Sequence, residues 1–241
     1  MVKDAGNVEH KAPHSHRDVR GGAARAAVFG VSDGLVTNLS LVLGVAGANP
    51  GGSFVRLAGV AGLIAGSFSM ASGEYVSMQA QRELWEREIE VERRALSRHP
   101  EGEAAELRAM YVERGIDPDV ATDMTNEVMR DPDLALEVHA REELGISTDS
   151  LGSPWQAAAA SFGTFALGAF IPLFPWLLTS GTTALVLSMV LGAVAAVVVG
   201  VVLARFTERS AVFSALRQLA VTAVAAAVTY GVGRAIGTGT A

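Results

Sequence analysis

Between Ser150 and Ala204 the chain carries no Asp, Glu, Lys or Arg at all. A bilayer crossing takes about 20 mostly apolar residues, so this run is too long for one helix and suits two. The break is expected near "PLFPWLLTSGTT", where prolines and Gly181 punctuate the pattern, giving spans at about 155–178 and 183–204. Two more spans precede it. From Ala26 to Val55 the only charge is Asp33, and the turn at Asn49 to Gly52 closes a first span of about 26–48. A second, about 54–78, has Arg56 at its start and Glu74 near its end, and a fifth covers about 212–234. Half of all residues are hydrophobic and the mean hydropathy is +0.33. The expected fold class is therefore an all-α membrane protein, with five transmembrane helices and a helical cytosolic insert between spans two and three.

Charge sets the organisation. Of the 25 acids, 19 fall between Gln79 and Ser150, against 9 of the 19 Lys and Arg residues. The sequence divides into a flexible cytosolic tail (1–25), a transmembrane hairpin (26–78), an acidic helical cytosolic domain (79–150) and spans three to five (151–241). The acidic domain reads as the continuation of span two up to His99 and Pro100, followed by three short helices with turns at Gly115 and Asp131-Pro132. Lys3, Lys11, Arg17, Arg20 and Arg25 flank span one, and Arg205 and Arg209 mark the turn between spans four and five. Positive residues favour the cytosolic side, so the N-terminus and the insert are expected inside and the C-terminus outside. The tail has no apolar core of a signal peptide, and no basic cluster points to nucleic acid. With no cysteine, any metal chemistry uses carboxylate, imidazole or thioether ligands.

Asp33 is the residue that most needs a reason, because a charge inside a span is costly. It lies about eight residues from the inner end of span one, and Met70 lies about eight from the inner end of span two, so both sit about 12 Å deep. An antiparallel hairpin can bring them face to face. A carboxylate beside a thioether suits a borderline divalent transition metal better than Ca²⁺ or Mg²⁺. The plainer alternatives are a hydrogen-bonded structural acid and a space-filling methionine. Glu74, one turn beyond Met70, joins this path or is simply solvated. The glycines dense in both spans allow close helix approach, and leave room for an ion path.

In the insert, Glu103 and Glu106 form an i, i+3 pair, His139 and Glu143 an i, i+4 pair, and Glu92 precedes them. Converging, they would bind Fe²⁺, Mn²⁺ or Zn²⁺ through nitrogen and oxygen; dispersed, they are one more solvated acidic face. His10, His14 and His16 in the tail are either a further metal collector or incidental. The sequence carries no phosphate-binding loop, nucleophile elbow or zinc-protease helix, so an enzyme is not expected.

"FGVSDGLVTNLSLVLGVAGA", "AGLIAGSFSMASGEYVSMQAQRE" and "HAREELGI", followed by "SPWQAAAASFGTFALGAFIPLFPWLL", resemble the vacuolar iron transporter family, in the same order from about Arg25 onward. The resemblance implies a dimeric five-span transporter that moves Fe²⁺, and often Mn²⁺, out of the cytosol in exchange for protons. The family's first-span Asp falls on Asp33 and its second-span Met on Met70. Its cytosolic site resembles two E-x-x-E motifs plus a Met and a Glu four apart. Here Glu92 pairs with Ala95 instead of a second glutamate, Glu103 and Glu106 are intact, and His139 stands at the Met position ahead of Glu143.

The expected function is a proton-coupled Fe²⁺ and Mn²⁺ exporter, with Co²⁺ and Zn²⁺ as further cargo and no permanently bound cofactor. A membrane-anchored metal store and a passive divalent channel are the alternatives. The Ala- and Val-rich composition favours a prokaryotic plasma membrane.

Overall fold

The computed structural model describes residues 22–48, 51–145 and 152–238, which form eight α-helices and no strand. Five of the helices are long and apolar enough to cross a membrane. These are α1 (Gly22–Gly47), α2 (Gly52–Arg98), α6 (Pro154–Leu178), α7 (Gly181–Thr207) and α8 (Ala211–Thr238). Between α2 and α6 lie the short helices α3 (Pro100–Glu113), α4 (Pro118–Val128) and α5 (Pro132–Glu142). The tail histidines lie outside the described residues.

Helix α2 has 47 residues without a break, about 70 Å of helix. A hydrocarbon core about 30 Å thick takes less than half of that, so the rest of α2 forms a stalk on which the short helices sit. His99 ends α2, and Pro100 opens α3. Asp117 and Asp131 cap α4 and α5 by accepting from backbone N–H groups two residues on, each with proline next in sequence. Leu107, Tyr111 and Ala121 make the small core of this unit, closed by Ile116, Val128 and Val138.

Helix α6 is the centre of the spanning bundle, packed on α1, α2 and α7. Its contact with α1 is glycine-made on both sides. A methyl at Gly34 would collide with the Phe165 carbonyl, and one at Gly168 with the Val31 carbonyl. Such backbone-to-backbone approach is how helices gain van der Waals contact in lipid, where no hydrophobic effect drives them together. Buried Asn38 adds a polar tie, its Nδ2 donating to the Ala169 carbonyl at 2.7 Å. On the other side of α1, Gln218 of α8 donates to Ser32 at 2.8 Å. Val186, Val190, Val194 and Val198 of α7 and Leu216, Val224 and Val228 of α8 face outward, as lipid-facing surfaces do.

Pro172 and Pro175 lie inside α6, and the break comes after Leu178, at the end of the expected span 155–178. The helix ends only at Thr179, and the chain reverses through Gly181, whose φ of 65° favours glycine. Helix α1 also starts earlier than expected, its first turn taking residues from the stretch read as tail.

Candidate metal sites

Three helices converge to build a cluster in the pendant unit. The stalk end of α2 supplies Glu92, α3 supplies Glu103, and the end of α5 supplies His139 and its cap residue Glu143. His139 is completely buried. Its Nδ1 lies 2.9 Å from Glu143 Oε1, 3.2 Å from Glu92 Oε1 and 3.9 Å from Glu103 Oε2. One ligand atom from each of the four residues lies within 4.8 Å of all the others. Metal bonds of about 2.1 Å hold ligands up to about 4 Å apart, so little contraction would be needed to surround one ion.

The electrostatics favour a cation. Burial pushes the Glu92 carboxyl above its ordinary range, with repulsion from Glu143 and Glu103 adding to it. Glu103 is pushed up in the same way, by burial and then by Glu143 and Glu106. A divalent ion would relieve both the repulsion and the buried charge. Among the described residues the buried His139 Nε2 has no hydrogen-bond partner, and Glu92 Oε1 has none beyond the 3.2 Å approach of His139 Nδ1, so this pocket is held together at a cost. One imidazole among three carboxylates fits a first-row transition metal better than Ca²⁺ or Mg²⁺, which take oxygen ligands.

Four of the five residues read from the sequence thus meet, and Glu106 does not join them. It lies on the exposed side of α3, close enough to be felt electrostatically by Glu92 and Glu103. Ala95, half-buried one turn along α2 from Glu92, offers no ligand.

The membrane residues are arranged differently. Gly62 packs on Leu41 and Asn38, and Gly59 on Val42, which sets the register of α2 against α1. Asp33 is eight residues before Leu41 and Met70 eight residues after Gly62, so on these antiparallel helices the two stand at one level, about 12 Å from that contact. Asp33 is exposed on this single chain, and its Oδ1 accepts from Thr37 Oγ1 at 3.2 Å. Met70 and Glu74 are half-buried on α2. Thr37 was missed in the sequence, although its i+4 spacing from Asp33 is the signal that finds it. Asn38 and Gln218 were missed too, and their only signal is that amides in a span need a partner.

Five bilayer-length helices, with a pendant unit that gathers three carboxylates and an imidazole, define an integral membrane protein with a candidate metal site. The sequence profile of the VIT family matches residues 24–234, and the chain belongs to that family, one of transporters and not of enzymes. It is 37% identical to a vacuolar iron transporter of Acanthamoeba castellanii, over 90% of this chain and 81% of the relative. It is 31% identical to vacuolar iron transporter 1 of Arabidopsis thaliana, over 87% of this chain and 84% of the relative. With vacuolar iron transporter 1 of Eucalyptus grandis the identity is 30%, over 95% and 91%.

Proposed function

We propose that this chain exports Fe²⁺ and Mn²⁺ from the cytosol in exchange for protons. The observation that carries the reading is the convergence of Glu92, Glu103, His139 and Glu143 at the end of a helix that is itself a membrane span. Metal caught there, with Glu106 adding negative potential, is passed to Asp33 and Met70, with Glu74 on the way. Co²⁺ and Zn²⁺ fit the same donors. No resident cofactor is required.

The working unit in this reading is a homodimer. An exposed carboxylate facing hydrocarbon is unfavourable, so the Asp33 face is covered by protein or lines water, and a second copy supplies both. The N-terminus and residues 79–150 lie in the cytosol and the C-terminus on the opposite side, as the flanking Lys and Arg residues favour. The relatives are named for the vacuole, while the composition favours a prokaryotic plasma membrane.

Protons compete with the ion for Asp33, so a proton arriving from the far side helps release the metal there. Purified protein in liposomes, loaded with an imposed pH gradient and offered Fe²⁺ or Mn²⁺, tests this. Gradient-driven flux is expected. Flux indifferent to the gradient defines a channel, and binding without flux defines a metal store; either outcome overturns the proposal.

A further inference from the structure

Charges inside spans pair with one another or face water, and α8 carries one of opposite sign to Asp33 close by. Helices α1 and α8 run parallel, since Ser32, Gly44 and Ala48 meet Gln218, Thr229 and Gly237 in rising order. At the stalk end of the bundle the register is fixed by Gln218 Nε2, which donates to Ser32 Oγ at 2.8 Å. Asp33 follows Ser32, and Arg217 precedes Gln218. Each step turns a helix by about 100°; because the touching residues point at each other, one step forward on α1 and one step back on α8 swing to the same side of the pair. Both Asp33 and Arg217 are exposed on this single chain. Along the helix axes they differ by about 3 Å, the rise of two residues. Among the described residues Arg217 makes no ion pair or hydrogen bond, and α1, α7 and α8 hold no acid except Asp33.

We infer that Arg217 is the counter-charge of Asp33, pairing with its carboxylate across the α1–α8 contact when no metal is held and yielding to the cation when one arrives. The inference rests on the transport reading of Asp33 and adds what holds the carboxylate between cargoes. Packed helix axes lie about 8–10 Å apart, a gap that the long stem of an arginine bridges and an aspartate alone does not. The guanidinium is planar and weakly hydrated, which suits an ion pair away from water. A plainer reading sends the stem back to the headgroups, since Arg217 is only six residues into α8, about 9 Å from its first residue. That reading leaves Asp33 with one neutral hydroxyl as its partner, and gives no reason for the arginine to stand on the carboxylate's side of the helix pair. A carboxylate emptied of metal between spans is an uncompensated charge, and a side chain that swings in compensates it without moving a helix. The same positive charge competes with the ion, so it loosens the hold on metal as well.

The chain has no cysteine, so a thiol introduced at position 217 reacts alone. Arg217→Cys is reconstituted as the full chain, and its Mn²⁺ flux is measured before and after reaction with a cationic aminoethyl or an anionic sulfonatoethyl methanethiosulfonate. Without the positive charge the ion is held more tightly and released more slowly, so the half-saturating Mn²⁺ concentration and the maximal flux should both fall, each about tenfold. The cationic reagent should restore both and the anionic reagent neither. A variant that transports like the wild type overturns the inference. So does equal restoration by the two reagents, which would mean that Arg217 only fills space. If Arg217→Cys does not assemble, Arg217→Lys and Arg217→Gln carry the test. The lysine keeps the charge and should lose less than the glutamine, and equal losses overturn the pairing. Asp33→Ala in the same preparation separates the two readings. Flux like that of the wild type removes the transport role of Asp33 itself, whereas a dead Asp33→Ala beside an unaffected Arg217→Cys removes only the pairing.

Discussion

The pendant cluster and the Asp33 face of α1 are built in opposite ways. In the cluster, three helices of one chain bring four ligand atoms together around a buried imidazole. On α1, one carboxylate stands exposed with a single hydroxyl for company. A site that only has to gather an ion can be finished within a chain. A site that must also give the ion up is left with fewer donors and depends on what faces it.

The largest effect expected from this contrast is at Asp33. Asp33→Ala removes the only carboxylate of span one, and flux should fall by two orders of magnitude or so, as for loss of an essential charged ligand. Metal binding by the pendant cluster should be unaffected, since Asp33 lies in a different helix and at a different level. Isothermal titration of Mn²⁺ into the detergent-solubilised variant, alongside liposome flux, checks both halves. Equal loss of binding and flux would mean that the two regions are one site.

Next in size come the cluster ligands. His139→Ala removes the one nitrogen donor and leaves three carboxylates facing each other, so Mn²⁺ affinity should drop roughly 10- to 100-fold. Flux should fall at low metal concentration and recover at high concentration, because the membrane path is intact. A fall in maximal flux equal to that of Asp33→Ala would break the division between capture and passage.

Acid should act on the cluster with a sign that follows from burial. Glu92 and Glu103 titrate above their ordinary value of 4.5, so their ionisation opposes the folded, metal-free state. With respect to these two groups, stability of the metal-free unit is therefore full below pH 4.5 and is lost as pH rises through their raised values. Metal reverses this, and the gain in melting temperature on adding Mn²⁺ should grow with pH over that window. A gain independent of pH would place the ion elsewhere.

The two regions also differ in how readily the sequence discloses them. The spans are legible because charge is absent from the third and fourth and sparse in the others, and the stalk because nothing in α2 breaks the helix before His99. Asp33 announces itself by its cost. The third span holds over 155–178 despite Pro172 and Pro175, because a helix with neighbours on three sides tolerates them, as the packing on α1, α2 and α7 allows. In the cluster, the i, i+4 pair His139 and Glu143 was legible, but the spacing of Glu103 and Glu106 was ambiguous. Spacing says that two side chains share a face, and only the docking of α3 against α2 and α5 decides which of them points inward.

Glu106 provides the smallest and sharpest test of that last point. It sits one turn from Glu103, carries the same charge, and differs only in facing solvent. If the cluster binds through converging ligand atoms, Glu106→Gln removes a distant charge in a screened environment and should weaken Mn²⁺ by less than about threefold. Glu103→Gln, which removes a ligand, should weaken it by about tenfold or more, a difference of about 1.4 kcal/mol per factor of ten. The Glu106 effect should shrink in added salt while the Glu103 effect persists, because a coordinating bond is not screened by salt as a distant charge is. Equal losses for the two variants would mean that α3 turns to bring Glu106 inward when metal binds, and that the pendant site is completed only by its cargo.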